Sequence, residues 1–419
     1  MILLLKAIQV ILFAFGAYVL LIGLGGFASR KCRRQFAPSA RFAVIVPAHN
    51  EEKVIGQLVE NLKLLDYPRE LYDIFVVADN CTDNTKKVAQ KSGAFVLERF
   101  DNRRKGKGYA LEYAFAKLHF TPKGGRPDGI CPYDAAVIFD ADNLVAPNFL
   151  RVMNNRLLTG EKIIQSFIDS KNPDDSWVAA AFSITFWLNN RFAMLARYNL
   201  GLCAALAGTG MCIAREVLQN VGWSTTTLTE DLEYSMKALT HGYKTCVACE
   251  TRIYDEKALT FSASCRQRLR WARGQISVAF QYIPVLLAQG VREKNPVKLE
   301  SALRLTQLFV IVAGGGVGLL GLLQPKLVLL TSVYYSLAEA VPPLALVFLF
   351  APYLFPAALF LLDSPPLRPF RFLPLFPLFT YSWAVIIVIG LLTYRNRAWM
   401  PTLHTRAISF HGLKISSRC

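Results

Sequence analysis

The sequence has little of what a disulfide framework or a structural zinc site requires. Its nine cysteines are an odd number, and they are scattered without framework spacing. Cys246 and Cys249, in "CVAC", have the spacing of half a zinc site or of a redox pair, but neither a second such pair nor two nearby histidines accompany them. We therefore interpret these two as buried strand cysteines, and we expect reduced thiols in a cytoplasmic domain.

Internal repeats, low-complexity tracts and recognised nucleic-acid-binding motifs are also missing from the sequence. Acidic residues are few beside basic ones, 30 against 47, which leaves a formal net charge of +17. Such a charge serves either a nucleic acid or an anionic membrane surface. Because no nucleic-acid motif is found, we expect no nucleic-acid partner and assign the charge to contact with membrane lipids.

Charged residues are sparse in two regions, residues 1–28 and 301–395, where the apolar residues concentrate. Residues 1–28 contain the ~20 apolar residues that a helix needs to cross a bilayer core of ~30 Å. A cleaved signal peptide would have a shorter apolar region, so we expect an uncleaved transmembrane helix. The basic run "SRKCRRQ" follows it, and by the positive-inside rule it predicts an outside N-terminus and a cytoplasmic domain over residues 29–300.

A second apolar region covers residues 301–395, for which we expect about four transmembrane helices. The segment 327–341 is short for a crossing and alternatively lies flat on the membrane surface. The tail, residues 396–419, is basic and is therefore expected in the cytoplasm, which requires an even number of crossings before it. The predicted location is the cell membrane, with several spans.

Residues 29–300 show alternating strand and helix patterns, with interfacial helices expected toward the end. Four short apolar runs are typical of buried parallel strands, "RFAVIVP", "YDIFVVAD", "AFVLERF" and "YDAAVIFD". Helical periodicity separates them, which predicts a doubly wound α/β domain with a mostly parallel sheet. In such sheets ligands bind beyond the carboxyl ends of the strands, where Asp79, Asp140 and Asp142 fall.

Two pairs of carboxylates are candidates for chemistry. Asp140 and Asp142 are one residue apart at a strand end, and they could hold a hard divalent cation that also binds phosphate oxygens. Asp-x-Asp alone is common in loops. Its position directly after an apolar strand favours a metal site over a chance occurrence. Glu230 and Asp231, in "LTEDLE", start a predicted helix, where they either stabilise the helix dipole or provide a general base.

The basic stretch "SASCRQRLRWARGQ" is predicted to be helical. Gln267, Arg270 and Trp271 then share one face, at positions i, i+3 and i+4. Arginine binds diphosphate bidentately, and tryptophan offers a flat surface for a sugar ring or for packing a pocket wall. The alternative is a basic face that touches lipid headgroups, which we assign to the arginines that lie elsewhere in the stretch, Arg266, Arg268 and Arg273.

Six motifs together resemble those of the membrane-embedded family-2 glycosyltransferases, which include cellulose, hyaluronan, chitin and poly-N-acetylglucosamine synthases. In chain order they are "VPAHNEE", "VVADNCTD", "FDADN", "GTGM", "TEDLE" and "QRLRW", and they cover residues 41–280. The resemblance implies an α/β domain of the glycosyltransferase A type and an inverting hexosyltransferase that uses a UDP-sugar. Gln-x-x-Arg-Trp is typical of the processive branch, which implies synthesis of a β-linked polysaccharide coupled to export.

The resemblance also implies a role for individual residues. Asp231 corresponds to the catalytic base, and Asp140 and Asp142 to the ligands of Mg²⁺ or Mn²⁺. Donor contacts are implied for Glu51, Asp79, Lys107, Asp140 and Arg270. Acceptor contacts are implied for Gly208, Thr209, Gly210, Glu230, Gln267 and Trp271. The sequence departs from many relatives at Ala78, where they have a second aspartate, while Asp79 is retained.

The segment "WMPTLHT" in the tail is similar to the cytoplasmic gating segment of cellulose synthases. Thr402 and His404 would then lie over the bound nucleotide, and the alternative is a terminal segment on the membrane surface. Two other functions stay open beside polysaccharide synthesis from UDP-glucose or UDP-N-acetylglucosamine. One is the transfer of a single sugar to a membrane lipid, and the other is a non-catalytic membrane subunit.

Overall fold

The computed structural model describes residues 2–28, 34–120, 131–341 and 355–396. A single eight-stranded sheet lies at the centre of the domain, in the spatial order β3-β2-β1-β4-β7-β6-β8-β5. In chain order the strands are β1 Phe42–Ala48, β2 Tyr72–Asp79, β3 Phe95–Arg99, β4 Ala135–Ile138, β5 Leu144–Val145, β6 Ile163–Ser170, β7 Met211–Ala214 and β8 Thr245–Asp255.

The first half of the sheet is parallel, as the sequence predicts. β1 pairs in parallel with β2 and β4, and β2 pairs in parallel with β3. Alternate residues of β1 pack into separate hydrophobic clusters, Val44 into one and Ile45 into another, so this strand is apolar at successive positions. The helices of this half are α2 Ile55–Lys63, α3 Thr85–Lys91 and α4 Lys107–Lys117.

The second half of the sheet is mixed, which the sequence patterns did not predict. β7 runs antiparallel to both of its neighbours, β4 and β6, while β6 and β8 are parallel to each other. The antiparallel β7 begins beside the carboxyl end of β4, where Met211 pairs with Ile138. The loop that precedes β7 is therefore brought to the edge at which the parallel strands end.

The cysteines of "CVAC" lie in a strand, as predicted, but they are less buried than expected. Cys246 and Cys249 belong to β8, and both are half-buried. Their side chains alternate along a strand near the edge of the sheet, so neither is fully covered. The seven cysteines within the described residues are all free thiols.

Helices cover the remaining part of the domain. Residues 177–199 are rich in aromatic side chains and form three helical segments in direct succession. The helices of this half are α5 Phe149–Leu158, α6 Trp177–Leu188, the π-helical segment Asn189–Leu195, α7 Ala196–Asn199, α8 Arg215–Val221, α9 Glu230–Thr240, α10 Phe261–Arg292 and α11 Pro296–Leu305.

Two helical segments of the described residues are long and apolar enough to cross a bilayer, Ile2–Phe27 and Arg368–Thr393. A third results if the bent pair Pro296–Leu305 and Gln307–Leu323, which meet at 41°, counts as one span. The helices of these regions are α1 Ile2–Leu24, α12 Gln307–Leu323, α13 Pro325–Thr331, α14 Val333–Ala340, α15 over residues 355–363, and α16 Phe376–Thr393.

The prediction of about four C-terminal crossings stays a prediction. The segment 327–341 is divided between two short helices, and Ser332 between them accepts a hydrogen bond from the backbone N–H of Tyr335 at the start of α14. Residues 342–354, which belong to the apolar region 301–395, lie outside the described residues. The same holds for nearly all of the basic tail.

Helix α10 packs along the apolar helix α16 through a buried arginine. The Arg268 guanidinium donates hydrogen bonds to the carbonyl of Phe379, at 3.1 Å, and to the hydroxyl of Ser382, at 2.8 Å. Its central carbon lies 4.2 Å from the centroid of the Phe379 ring. The hypothesis that Arg268 touches lipid headgroups is therefore wrong, because the side chain is fully buried between two helices. Arg273 likewise donates to the Thr393 hydroxyl of α16, at 3.0 Å.

We expect Arg268→Met to lower the free energy of unfolding in detergent by roughly 2–4 kcal/mol, since two hydrogen bonds from a charged donor and a cation–π contact are lost. The measurement is denaturant unfolding followed by tryptophan fluorescence. The matched control is Arg266→Met, because Arg266 is exposed on the same helix; its effect should stay within about 0.5 kcal/mol. Equal losses for the two variants would contradict the buried contact.

Candidate active site

The Asp-x-Asp motif follows β4 and is held by buried side chains. The backbone N–H of Asp140 donates to the side-chain oxygens of Asn143 and Thr209, at 3.1 Å each. The Thr209 hydroxyl in turn donates to the Asn143 side-chain oxygen. Asp142 is buried and accepts a hydrogen bond from the Asn143 amide, at 3.3 Å, while the Asp140 carboxylate is more open. The motif is thereby fixed to the loop before β7.

Lys107 connects the Asp-x-Asp motif to two other parts of the predicted site. Its ammonium donates to the Asp140 carboxylate and to the Gly208 carbonyl, at 2.5 Å each, and lies 3.9 Å from the Glu230 carboxylate. Burial by itself would lower the pKa of Lys107, but the carboxylates of Asp140 and Glu230 outweigh it and raise this pKa above its ordinary value. The group therefore stays cationic beside the motif.

The first turn of α9 carries the candidate base. Burial, together with the neighbouring Glu230 carboxylate, raises the pKa of Asp231 to about 7. Burial also raises the pKa of Glu230. The loop residue Gly208, with φ of 86°, passes so close that an added Cβ would lie 3.4 Å from the Asp231 carboxylate. A glycine at this position keeps space in front of that carboxylate.

Helix α10 approaches the start of α9 closely. A Cβ on Gly274 would lie 2.8 Å from the backbone nitrogen of Thr229, so only a glycine allows this contact. Arg270, one turn earlier, lies close enough to Glu230 for its charge to oppose the rise in the pKa of that carboxyl. The role expected for Arg270 as a donor contact stays a prediction.

Trp271 and Gln267 lie on the same helix and are half-buried. The Trp271 indole packs edge-on against Phe182 of α6, with 5.9 Å between centroids, and lies 6.3 Å from Phe186. The indole thus belongs to a hydrophobic cluster between α6 and α10, and its expected role at the acceptor sugar stays a prediction. Gln267 is one turn before Trp271 on α10, as the helical spacing predicts.

Asp79 and Glu51 lie at the same edge of the sheet but farther from the other residues. Asp79 ends β2, and β1 separates β2 from β4, so the two strands are about 10 Å apart. The buried Asp79 carboxylate accepts a hydrogen bond from Arg99, at 2.6 Å. The backbone N–H of Glu51 donates to the Thr85 hydroxyl, at 2.8 Å. These two residues therefore form a second part of the site, on the far side of β1.

The end of β8 contributes residues that the sequence analysis missed. The backbone N–H of Glu256 donates to the Asp142 carboxylate, at 3.0 Å. Burial raises the pKa of Asp255 to about 6, and the nearby carboxylates of Asp142 and Asp140 add to this rise, while Lys257 opposes it. The available signal was weak, since only two apolar residues, Ile253 and Tyr254, directly precede Asp255, whereas a longer apolar run precedes Asp79.

Asp140 and Asp142 fit a hard divalent cation. Carboxylate oxygens are the ligands that Mg²⁺ and Mn²⁺ prefer. No group of three or more histidine, cysteine or acidic side chains suited to a metal ion occurs within the described residues. A Mg²⁺ ion held by one or two carboxylates and by substrate phosphates needs no third protein ligand.

Two residues that were predicted for a gate, Thr402 and His404, lie outside the part of the chain that the structure describes.

Residues 38–274 match the family described as "Glycosyltransferase like family 2". The chain is 27% identical over 312 residues to a beta-monoglucosyldiacylglycerol synthase of Synechocystis sp.. This alignment covers 71% of this chain and 60% of that protein. It is 25% identical over 378 residues to the probable glycosyltransferase YdaM of Bacillus subtilis, and the alignment covers 86% of this chain and 84% of that protein. The chain thus spans less than two thirds of the length of the Synechocystis relative.

Two further similarities concern a synthase and a solved structure. The catalytic subunit of cellulose synthase [UDP-forming] of Pseudomonas fluorescens is 26% identical over 257 residues, covering 59% of this chain and 33% of that protein. The mannosyltransferase PcManGT of Pyrobaculum calidifontis, solved in complex with GDP-Man and Mn²⁺, superposes with a TM-score of 0.54 at 19% identity and covers 94% of this chain and 99% of its own. At this identity the superposition shows a shared fold.

Proposed function

The chain belongs to glycosyltransferase family 2, and from this premise we propose that it transfers one sugar from a UDP-sugar to a membrane diacylglycerol. The observation that carries the proposal is the grouping of Lys107, Asp140 and the α9 carboxylates beside α10, a helix that packs on the apolar α16. A site in this position faces both a soluble donor and a lipid acceptor. The name of the Synechocystis relative supports diacylglycerol as the acceptor.

Polysaccharide synthesis, the first interpretation of the sequence, becomes the second candidate. It is supported by the spacing of Gln267, Arg270 and Trp271 and by the similarity to cellulose synthase, which covers a smaller share of this chain. The lipid-acceptor function has the stronger support, since the relatives with longer alignments include a diacylglycerol glycosyltransferase. Membership of the family makes the chain a glycosyltransferase rather than a non-catalytic subunit.

In the proposed reaction Asp231 removes the proton from an acceptor hydroxyl while its oxygen attacks the anomeric carbon of the donor. The bond from that carbon to the diphosphate breaks, and UDP leaves. One such displacement inverts the anomeric centre, so an α-linked donor gives a β-linked product. Mg²⁺ or Mn²⁺ bound by Asp140 and Asp142 would stabilise the charge on the diphosphate. The Mn²⁺ complex of PcManGT supports this choice of metal.

The cationic groups of the chain would act on the same diphosphate. Lys107 is held at Asp140, and Arg270 lies near Glu230, so both are within reach of a phosphate bound at the motif. Fixed positive charge of this kind stabilises the leaving group without reorganisation of water. Gly208, Thr209 and Gly210 form the loop in front of Asp231, which is where we place the acceptor hydroxyl. Glu51 and Asp79 would contact the uridine side.

The membrane arrangement is part of the proposal. We place the domain in the cytoplasm and the N-terminus outside, on the basis of the basic residues that follow α1. A cytoplasmic domain gives the site access to UDP-sugars and to lipids of the inner leaflet. Cysteine labelling from outside the cell would test this, with a cysteine at residue 2 expected to react and one at Arg103 expected to be protected.

The pH dependence of the reaction follows from the environment of Asp231. The base acts in its deprotonated form, so activity is lost as pH falls through its pKa of about 7. We expect kcat/KM to decrease about tenfold per pH unit below this value and to level off above it. The measurement is UDP release between pH 5 and 9 at saturating metal. A profile that stays flat down to pH 5 would show that Asp231 is ionised throughout and that its environment is different.

The function is tested directly with purified protein in detergent. UDP-glucose and UDP-N-acetylglucosamine are supplied separately with diacylglycerol and Mn²⁺ or Mg²⁺, and the products are identified by mass spectrometry. The expected product is diacylglycerol that carries one sugar. A polymer of many sugars would instead favour the second candidate. If no UDP is released from any donor, with a lipid or a glycan acceptor, both the lipid-acceptor function and polysaccharide synthesis are excluded.

A further inference from the structure

An apolar cavity of about 620 Å³ lies between α1, the end of α6 with the π-helical segment, and the region that contains α15 and the start of α16. Its volume falls in the range of ~300–1,000 Å³ that is usual for small-molecule sites. The side chains that line it are aliphatic or aromatic, with glycine and proline, and none is charged. A ligand of matching chemistry has to be a hydrocarbon.

The cavity runs along one face of α1. Four of its lining residues are spaced at i, i+3, i+4 and i+7, Phe13, Gly16, Ala17 and Leu20. The far end of α1 is attached to the domain, since the Asn199 side chain donates hydrogen bonds to the carbonyls of Gly25 and Ala28, at 2.8 Å each. At 1.5 Å per residue the cavity extends from about 8 to 18 Å beyond Gly25. With Gly25 at the edge of a bilayer core of ~30 Å, the cavity begins among the acyl chains of the near leaflet and ends near the midplane.

The cavity is continuous with the packing around the candidate active site. Phe376 lines the cavity and also belongs to the hydrophobic cluster that contains Phe182 and Trp271. Phe192, another lining residue, is six residues along the helical chain from Phe186, which is about 9 Å at the helical rise. Helix α10 presents Trp271 to this cluster and the adjacent Arg270 toward Glu230. The cavity and the helix that carries Arg270 and Trp271 are therefore joined through one hydrophobic cluster.

We propose that this cavity binds an acyl chain of the diacylglycerol acceptor and thereby positions its hydroxyl, a role that rests on the proposed function. Three observations carry the inference, namely the apolar lining, the depth along a span and the continuity with the Trp271 cluster. The occupant is a chain of the lipid acceptor, because a polysaccharide is too polar for a site without a charged or hydrogen-bonding wall.

Gly16 allows a direct test. An added Cβ at this residue would have no heavy atom within 4 Å, so Gly16→Phe fills the cavity without a backbone clash. We expect it to raise KM for a long-chain diacylglycerol at least tenfold, while the affinity for UDP, measured by calorimetry, stays the same. The matched control is Gly316→Phe on α12, where a Cβ also meets nothing within 4 Å and which does not line the cavity. Equal KM values in the two variants would overturn the inference.

A second experiment does not depend on catalysis or on the variants. Diacylglycerol with a photoreactive diazirine in one acyl chain is cross-linked to the unaltered protein, and the labelled residues are identified by mass spectrometry. Labelling that concentrates on residues 13–20 and 188–192, and that unlabelled diacylglycerol competes away, supports the site. Uniform labelling of the exposed apolar helices without competition overturns it.

The experiments distinguish an error in the acyl-chain site from an error in the proposed acceptor. If the protein glycosylates diacylglycerol while labelling is uniform and Gly16→Phe has no effect, only the acyl-chain site is wrong. If the cavity is labelled but no glycosylated diacylglycerol forms with any donor, the proposed acceptor is wrong and the cavity remains a site for acyl chains.

Discussion

Asp231→Asn should lower kcat by roughly 10²–10⁴-fold, because the amide cannot remove the proton of the acceptor hydroxyl. The substitution preserves the size of the side chain, and its carbonyl oxygen can still accept the hydrogen bond that the backbone N–H of Leu232 donates to Asp231. The fold and the affinity for UDP should therefore be unchanged. The measurements are the rate of glycolipid formation and the binding of UDP by calorimetry in the same preparation.

The neighbouring carboxylate provides the matched control for this prediction. Glu230 is in the same turn of α9 and also lies near Lys107, so Glu230→Gln removes a similar negative charge from the site. We expect its effect on kcat to be at least tenfold smaller than that of Asp231→Asn. If Glu230→Gln proves the more damaging of the two, then Glu230 is the base and the assignment within this turn has to be reversed.

Asp142→Asn is expected to reduce kcat/KM by roughly 10²–10³-fold, the range observed when one electrostatic contact to the transition state is removed. The neutral amide is a poor ligand for Mg²⁺ or Mn²⁺, so the charge that builds on the departing diphosphate loses its counter-ion. Higher metal concentrations should recover part of the activity. The measurement is UDP release as a function of Mn²⁺ concentration.

Asp255→Asn is the comparison for this second prediction. Asp255 lies near both aspartates of the motif but is paired with Lys257, at 2.7 Å. We expect a loss of less than tenfold, with an unchanged dependence on Mn²⁺, because the ion pair occupies this carboxylate. A stronger requirement for Mn²⁺ in Asp255→Asn than in Asp142→Asn would show that Asp255, and not Asp142, is the ligand.

Several elements of the site could be predicted from local patterns, and others could not. Asp140 and Asp142 follow a buried strand, and Asp231 starts a helix, so their local positions were readable from the sequence. Asp255 was missed because β8 is partly exposed and its apolar pattern is less continuous than that of β1. The burial of Arg268 could not be predicted either, because helical spacing does not tell which face of α10 a second helix will cover.

By itself the sequence determined the parallel half of the sheet and the residues at its carboxyl edge. Strands that are buried on both faces have uninterrupted apolar sequences. The polar residues of the site follow directly after these apolar runs. Only the tertiary structure decided how Lys107, Gly208 and Glu230 meet at Asp140, since they come from segments far apart in the chain. Their meeting depends on the antiparallel β7, which brings the loop before it to the carboxyl end of β4. Contacts of this kind arise from packing between elements, which no local pattern of residues encodes.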